Sequence, residues 1–330
     1  MKLRKIITKR KFQKWRSWQL VYEWEDIFKK ELGISFIINF DNYFHLRFGK
    51  LGHFYTKLPI AKYWPYPSFL FEMLPTERLT PHNNSKNIIP CIIDWYLKTP
   101  EELQSFFKDY SNHKLILVTS KEVFGYLSSI DTPIPFGHLP LSLSDKHRIT
   151  PKTTFKKDID VVLMGRQNPV LLNWLNLYKE NNPKITIVSS KRQFDNYNYY
   201  TQDGVFVTNA TTREQCMDLM KRSRVCLYST KAMDDDYTDF NTNGFNQVTP
   251  RLFECMATGN HIIARYKENE DTDYFELKTI CPHTDSYESF RNQMDYALSN
   301  PVDMKFYSDY LEKHYTSRRV KMLEDIVKSL

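Results

Sequence analysis

Unbroken apolar runs alternate with helix-forming segments in the middle of the chain. The pattern predicts strands over residues 88–93, 115–118 and 134–141, with helices over residues 99–110 and 121–128 between them. Strands that are apolar along their whole length, rather than at every second position, are typical of a parallel sheet covered on both faces. This part of the chain is therefore expected to form a doubly wound α/β domain.

The same alternation restarts after a polar segment. Residues 142–158 include Pro151 and several charges and show no periodicity, so we place a domain boundary there. We expect one Rossmann-like domain over residues 1–150 and a second over residues 151–330. The predicted strands of the second domain are 159–164, 185–189, 204–207, 225–228 and 261–265, and its predicted helices are 170–180, 212–222, 250–258, 287–298 and 304–330.

The start of the chain fits this alternation less well. Its spacing predicts a helix over residues 1–32 that ends near Gly33, then a strand over residues 34–40. Residues 44–74 are dense in aromatic residues and proline and are predicted to be irregular. Within them, the patch from Phe54 to Leu74 has two interpretations, an acceptor groove lined by aromatic rings or plain packing against the neighbouring helix. We favour the packing.

Length and composition narrow the class of protein. A chain of 330 residues fits two domains, and 41% hydrophobic residues suffice for their cores. No window approaches 18 uninterrupted apolar residues, and no apolar segment of a signal peptide follows the basic N-terminus. The five cysteines form no CxxC pair and no metal spacing, so we expect buried thiols in a reducing compartment, the cytoplasm.

Positive charge is concentrated at the start of the chain. The formal net charge is +7, and eight Lys or Arg residues but no acid lie between Met1 and Trp18. As a basic N-terminal helix, this segment is expected to face a polyanion: an anionic membrane surface, a phosphorylated substrate or nucleic acid. The alternative is a solvated helix face that has no partner.

The most informative segment runs from Asn246 to Gly259. Thr249 suits an N-cap and Pro250 the first helical position, so the helix start is well marked. Its first-turn amides would suit a phosphate group. Arg251 and Glu254 share one helical face, where the arginine can grip a diphosphate and the carboxylate can accept bonds from ribose hydroxyls. The alternative is an ordinary helix end that carries a surface ion pair.

This segment resembles the glutamate-bearing helix of group 1 glycosyltransferases, in the Arg-x-Phe-Glu form of the CgeB/YkvP-like branch. Residues 158–166, ending in Gly165 and Arg166, resemble the opening strand and loop of that family's C-terminal domain, and residues 212–229 fit its next helix and strand. The commoner branch has a further glutamate at the position of Asn246. The resemblance implies a GT-B fold, in which two Rossmann-like domains face a central cleft, and a nucleotide diphosphate sugar as donor.

The resemblance also supplies a set of donor-contact candidates. In that family the glycine lets the backbone approach the donor, a basic residue meets the diphosphate, and the helix glutamate holds the ribose. No cofactor is expected beyond the donor substrate itself. The candidates in this chain are Gly165, Arg166, Asn246, Gln247, Thr249, Arg251 and Glu254.

A second motif suggests metal binding. Asp234-Asp235-Asp236 is similar to the Asp-x-Asp motif with which GT-A glycosyltransferases hold a metal on the donor diphosphate. That motif should end a strand directly, whereas residues 230–233 intervene here. We favour a solvated acidic loop and predict no metal, because Arg166 and Arg251 can take over its electrostatic role.

A catalytic base is expected in the N-terminal domain. Asp94 ends a predicted strand, the place where open α/β sheets bind ligands, and is our candidate. Its alternative role is to cap or pin the following loop. His45, His53 and His138 are further candidates.

The leading hypothesis is a cytoplasmic glycosyltransferase that acts on a glycan or lipid-linked acceptor in polysaccharide biosynthesis, with docking at the inner face of the membrane through the basic N-terminal segment as an option. A phage-type, DNA-modifying glycosyltransferase is the second hypothesis, since the basic segment would also suit phosphates. The third is a non-catalytic protein that binds nucleotide sugars as a scaffold. Binding without turnover would distinguish it from the other two.

Overall fold

The computed structural model describes residues 2–11, 13–38, 66–75, 85–193, 196–234 and 242–330. The chain forms two compact units. The N-terminal unit comprises Met1–Asp145, Asn241–Phe245 and Thr316–Leu330, and the C-terminal unit comprises Lys146–Phe240 and Asn246–Tyr315. Each has its own sheet and its own core.

The N-terminal unit is built on a six-stranded sheet in the order β2-β1-β3-β4-β5-β6, whose described pairs are all parallel. An all-parallel sheet needs helical crossovers, and the predicted helices of the middle of the chain supply them. The strands are β1 (Lys5–Thr8), β2 (Ser35–Ile38), β3 (Ser68–Glu72), β4 (Ile88–Ile92), β5 (Ile116–Val118) and β6 (Phe136–His138), and the helices are α1 (Arg16–Leu32), α2 (Pro100–Asp109) and α3 (Lys121–Ser129).

Two predictions for the start of the chain are wrong. Residues 5–8 are not helical but form β1, in which Ile6, Ile7 and Thr8 are buried. The segment predicted to be irregular contains β3, whose five residues are all buried between β1 and β4. Strands this short have too few residues to show a period of their own, and the neighbouring lysines and prolines interrupt the apolar pattern.

Where capping signals were present, the predicted helices were found. The Thr99 hydroxyl accepts a bond from the Glu102 amide, and the Glu102 carboxylate accepts one from the Thr99 amide, so the capping box starts α2 where expected. Gly33, with φ +62°, ends α1 in the left-handed conformation that glycine tolerates. Trp95 and Phe106, with ring centroids 4.7 Å apart, form the centre of the core on this side of the sheet.

The C-terminal unit has a six-stranded sheet in the order β10-β9-β8-β7-β11-β12. Its strands from β8 through β7 and β11 to β12 are parallel, whereas β8, β9 and β10 form an antiparallel edge that the sequence did not predict in full. The strands are β7 (Ile159–Leu163), β8 (Ile187–Gln193), β9 (Asn196–Thr201), β10 (Phe206–Asn209), β11 (Ser223–Ser229) and β12 (His261–Arg265).

The helices of the C-terminal unit pack around this sheet. Leu171, Leu175, Val225 and Phe290 belong to the core between the sheet and its covering helices. Among the described residues, no helix is long and apolar enough to cross a membrane. The helices are α4 (Pro169–Asn181), α5 (Arg213–Lys221), α6 (Arg251–Ala257), α7 (Glu270–Tyr274), α8 (Leu277–Ile280), α9 (Tyr287–Ser299) and α10 (Met304–Glu312).

The units do not divide the chain at a single point. They change at Asp145 and Lys146, near the predicted boundary at residue 150, but residues 241–245 and the last segment return to the N-terminal unit. The helix predicted over residues 304–330 is two helices, α10 and α11 (Thr316–Lys328). Thr316 bonds to the Leu143 carbonyl at 3.0 Å, which ties α11 to the N-terminal unit.

Candidate functional site

The C-terminal sheet has a switch point beside β7. From β7 the chain moves outward to β8 on one side and later to β11 on the other, and open α/β sheets bind ligands at the carboxyl ends of strands that diverge in this way. Gly165 and Arg166 follow β7 and Lys231 follows β11. Arg166 Nη2 donates to the Lys231 carbonyl at 2.8 Å, so the two loops meet at this point.

Gly165 and Arg251, which are 86 residues apart in sequence, are brought together here. Gly165 has φ +73°, and a Cβ on it would lie 3.4 Å from Arg251 Nη2. The left-handed backbone and the nearby guanidinium both favour a residue that has no side chain. The fold thus places the glycine of the loop after β7 beside the arginine of α6.

Glu254 is held by two arginines. One turn along α6 from Arg251, its Oε2 lies 3.0 Å from Arg251 Nη1, and its Oε1 accepts a bond from Arg213 Nη1. The side chains of Glu254 and Arg213 are each only 8% exposed, compared with 27% for Arg251. The cluster therefore runs from a buried arginine through a buried carboxylate to an arginine that reaches solvent.

This arrangement fixes the charge on Glu254. Burial opposes ionisation, but the positive charges of Arg213 and Arg251 outweigh it and lower the pKa of Glu254 to about 2. The carboxylate is therefore ionised at neutral pH, and both of its oxygens are engaged by guanidinium groups. Its proposed role as a ribose ligand remains a prediction.

The start of α6 differs from the prediction. Pro250, not Thr249, occupies the N-cap position, and no side-chain bond caps the helix. The backbone amide of Thr249 instead donates to the phenol oxygen of Tyr228 at 3.1 Å, which anchors the loop to β11. The Thr249 hydroxyl is therefore not used as the cap that its type suggested.

Asn246 and Gln247, in the loop before α6, are buried at 5% and 2% exposure. Asn246 Oδ1 accepts a bond of 2.8 Å from the Thr230 hydroxyl just after β11, and its carbonyl accepts one of 3.1 Å from Asn269 Nδ2. These bonds hold the loop before α6 against the end of β11. Contact of either side chain with a donor remains a prediction.

Asp234, the first residue of the acidic motif, is part of a structural ion pair. Its carboxylate bonds to Arg265 through two guanidinium nitrogens, at 2.5 and 3.0 Å, and to Asn168 Nδ2 at 2.8 Å. Asp235 and Asp236 lie outside the described residues. Within the part of the chain that the structure describes, no three or more His, Cys, Asp or Glu side chains group so as to hold a metal ion.

Asp94 lies where the sequence placed it, just beyond β4 in the N-terminal unit. Its side chain is half-buried, and its backbone amide donates to the Met73 carbonyl at 2.8 Å. Of the histidine candidates, His138 lies in β6, where burial lowers its pKa to about 4. His45 and His53 lie outside the described residues. The role of Asp94 as a base remains a prediction.

The basic segment at the start of the chain is not one helical face. Lys9 lies 5.0 Å from the centroid of the Trp18 ring, and Arg10 pairs with Glu25 and Asp26 at 3.1 and 2.9 Å. By contrast, Trp15 is 72% exposed in the loop between β1 and α1. The expectation of a uniform basic helix is therefore wrong, although an exposed aromatic residue beside lysines remains.

Comparisons with known proteins bear on the C-terminal unit first. Residues 166–325 match the family model described as Glycosyl transferase-like. A search of curated proteins finds no match. The matched region begins at Arg166 and includes Arg213, Arg251 and Glu254, so it contains most of the site described above.

Solved structures resemble about four fifths of the chain. A mutant of S. aureus TarM, in complex with Fondaparinux, alpha-GlcNAc-glycerol and UDP, has a TM-score of 0.51 at 11% identity over 78% of this chain and 55% of its own. The pneumococcal O-GlcNAc transferase GtfA, in complex with UDP and GlcNAc, has a TM-score of 0.49 at 9% identity over 80% of this chain and 57% of its own.

This chain thus spans between 55% and 57% of the length of these two structures. At such identities the TarM likeness shows the fold, and the narrower CgeB/YkvP-like branch stays a prediction. Residues 166–325 are similar to the Glycosyl transferase-like family, and the two parallel-dominated sheets of the chain have the α/β fold of GT-B glycosyltransferases.

Proposed function

We propose that this protein transfers a sugar from a nucleotide diphosphate sugar, and that the diphosphate binds at Gly165, Arg166 and Arg251. One observation carries the proposal: Glu254 fixes the guanidinium of Arg251 beside the left-handed turn at Gly165, at the switch point of the sheet. A glycine there leaves room for phosphate oxygens next to a fixed arginine.

The chemistry follows from where charge develops. When the bond between sugar and diphosphate breaks, negative charge accumulates on the departing diphosphate, and fixed positive groups stabilise that charge without reorganising. Arg251 and Arg166 would supply these positive groups, so the proposal requires no metal. The nucleotide sugar acts as a substrate and not as a cofactor.

UDP-GlcNAc is the first donor to test, because the names of the TarM and GtfA complexes include UDP and GlcNAc. For the acceptor we propose a glycan or a lipid-linked glycan of polysaccharide biosynthesis. Trp15 with the exposed Lys11 and Lys14 would suit docking on an anionic membrane, since indole rings favour the membrane interface and lysines its charge.

The donor site is tested by thermal unfolding with UDP, GDP, CDP, ADP and their sugars. A ligand at 100 times its dissociation constant should stabilise the protein by about 2.7 kcal/mol. We expect one nucleotide family to raise the melting temperature of the wild type and Arg251→Ala to abolish that rise. Arg224→Ala is the matched control, because Arg224 lies on β11 and pairs at 3.5 Å with Asp160, away from the carboxyl end of the strand.

The experiment has two outcomes that contradict the proposal. A wild type that no nucleotide stabilises has no donor site of this kind, and an Arg251→Ala protein that is stabilised as strongly as the wild type has its site elsewhere. Sugar release is then measured with the nucleotide that binds. Binding without turnover on glycan, lipid-linked or DNA acceptors, or on water, would favour the non-catalytic scaffold.

Asp94→Asn tests the proposed base separately. Loss of a general base lowers turnover by about 100-fold or more, whereas donor affinity should not change because the residue is in the other unit. Unchanged turnover, measured with the identified donor, would assign Asp94 the loop-pinning role instead.

A further inference from the structure

We propose that Arg213 is a positioning residue for donor binding: it anchors Glu254, which in turn holds Arg251 in place for the donor diphosphate. This inference rests on the proposed function and adds a residue to it. Arg213 lies 41 positions before Glu254, in the segment 212–229 that resembles the family's next helix and strand, but it was not among the donor-contact candidates.

The place of Arg213 in the fold is a costly one for a cation. It is the first residue of α5, after the N-cap Thr212, where the partial positive charge at the helix N-terminus disfavours a positive side chain. Its side chain is also 8% exposed, so its charge has lost most of its hydration. A buried arginine in that position needs a carboxylate partner, and Glu254 Oε1 is that partner.

The backbone around Arg213 is fixed independently of Glu254. Thr212 and Gln215 form a capping box, in which the Thr212 hydroxyl accepts from the Gln215 amide at 3.2 Å and Gln215 Oε1 accepts from the Thr212 amide at 3.0 Å. Arg213 therefore extends from a rigid helix start. The helix sets where the guanidinium lies, and the guanidinium sets where Glu254 lies.

The second effect is electrostatic. The cluster contains two positive side chains and one negative, so one positive charge remains after Glu254 is counted. Because Arg213 and Glu254 are both buried, that charge is presented outward by Arg251, the most exposed of the three. Without Arg213, Glu254 would neutralise Arg251, and the site would attract a diphosphate less strongly.

The test compares UDP with uridine, because only UDP carries the diphosphate. Calorimetry is run on the wild type, Arg213→Met and Arg213→Lys, with GDP, CDP and ADP and their nucleosides in parallel arms. We expect Arg213→Met to weaken binding of the diphosphate about tenfold, the usual scale of one charge-assisted hydrogen bond, and to weaken nucleoside binding less. Arg213→Lys retains the charge and should recover part of the loss.

Arg222→Met is the matched control at the other end of α5. Arg222 is an exposed arginine whose Nε donates to Asp158 Oδ1 at 3.0 Å, and its removal should change neither affinity. If Arg213→Met does not fold, the double variant Arg213→Met with Glu254→Met removes both buried charges together. We expect it to fold and still to bind UDP at least tenfold more weakly than the wild type, because Arg251 has lost its anchor.

Three results would overturn the inference. If Arg213→Met or the double variant binds UDP as tightly as the wild type, Arg213 does not position the site, while the proposed function stands. Equal weakening of UDP and uridine would make Arg213 a general structural support. A wild type that binds none of the four nucleoside diphosphates removes the proposed function itself, and with it this role for Arg213.

Discussion

Two buried glutamates, one in each unit, have pKa values shifted in opposite directions. Glu25 on α1 is 1% exposed and accepts bonds from the Thr8 hydroxyl at 2.5 Å and from Arg10 Nη2 at 3.1 Å. Burial raises its pKa to about 7, because these partners do not compensate for the lost hydration. Glu254 is almost as deeply buried, yet its pKa is about 2.

The difference between the two pKa values comes from the cationic partners of each carboxylate and not from its depth of burial. Arg10 also pairs with Asp26 and is 30% exposed, so its charge is shared and partly hydrated. Glu254 has two arginine partners, and one of them, Arg213, is only 8% exposed. Burial alone therefore does not tell whether a carboxylate is charged; the number and hydration of its cationic partners decide.

The same substitution at the two glutamates should have very different effects on stability. Glu254→Gln leaves two arginines close together without their carboxylate and should lower the free energy of unfolding by about 3 kcal/mol or more at pH 7.5. Glu25→Gln removes a carboxyl group whose ionisation is already opposed by burial, and should cost less than about 1 kcal/mol. Urea unfolding with peptide-resolved hydrogen exchange reports on each unit separately.

Equal losses at the two positions would contradict this account. Glu31→Gln is a control, because Glu31 lies near the end of α1 with its side chain 43% exposed and pairs with Lys30 at 3.8 Å. It should change stability by no more than about 0.5 kcal/mol.

The pH dependence should differ in sign and in range. Glu25 has a folded-state pKa above its ordinary value of 4.5, so its contribution is fully present below pH 4.5 and lost as the pH rises to about 7. The stability of the wild type relative to Glu25→Gln should therefore fall by roughly 3 kcal/mol across that range. The difference is measured by urea unfolding at half-unit steps of pH.

Glu254 should behave in the opposite way. Its pKa is below the ordinary value, so its contribution is present above pH 4.5 and lost as the pH falls towards 2. The stability of the wild type relative to Glu254→Gln should be constant between pH 5 and 7.5 and decrease in acid. The stability difference between the wild type and each Gln variant should therefore change with pH. If either difference did not change, the environments of Glu25 and Glu254 would not be distinct.

A smaller effect is expected from the glycine beside Arg251. Gly165→Ala should cost about 1 kcal/mol, because a left-handed backbone disfavours Cβ, and should also weaken UDP binding, because the new methyl group lies beside Arg251 Nη2. Gly204→Ala is the matched control: its φ is +83° and no neighbouring atom lies within 4 Å of the added Cβ.

Both variants should therefore lose similar stability, and only Gly165→Ala should lose affinity. Unfolding and calorimetry on the same samples separate the two effects. Loss of UDP affinity in both variants would mean that the glycine at position 165 acts only through the stability of the unit.

Local signals predicted those parts of the fold that they determine. The capping box at Thr99 and Glu102 is readable because residues close in sequence make its bonds. The strands β4, β7 and β11 are readable because their burial in a parallel sheet makes each of them an apolar run. The strand β1 was missed because only long-range pairing with β2 and β3 stabilises a four-residue strand. Thr249 was misassigned because Tyr228, from another strand, binds its amide.

The residues of the candidate site also fall into those with a local sequence signal and those without one. Arg251 and Glu254 were recognised because three residues on one helix place them on one face. Arg213 was not, since its partner is 41 residues away and only the packing of α5 against its neighbours brings the two together. Buried charges paired across elements leave no spacing in a single sequence.

The return of α11 to the N-terminal unit has a consequence for biosynthesis. Ribosomes synthesise the chain from its N-terminus, and domains generally fold as they emerge. Here α1 packs against α11, and Thr316 and Ser317 bond to Leu143 and Asp145. The N-terminal unit therefore lacks one of its packing helices until α11 has been synthesised. The unit that is synthesised first is thus the one completed last.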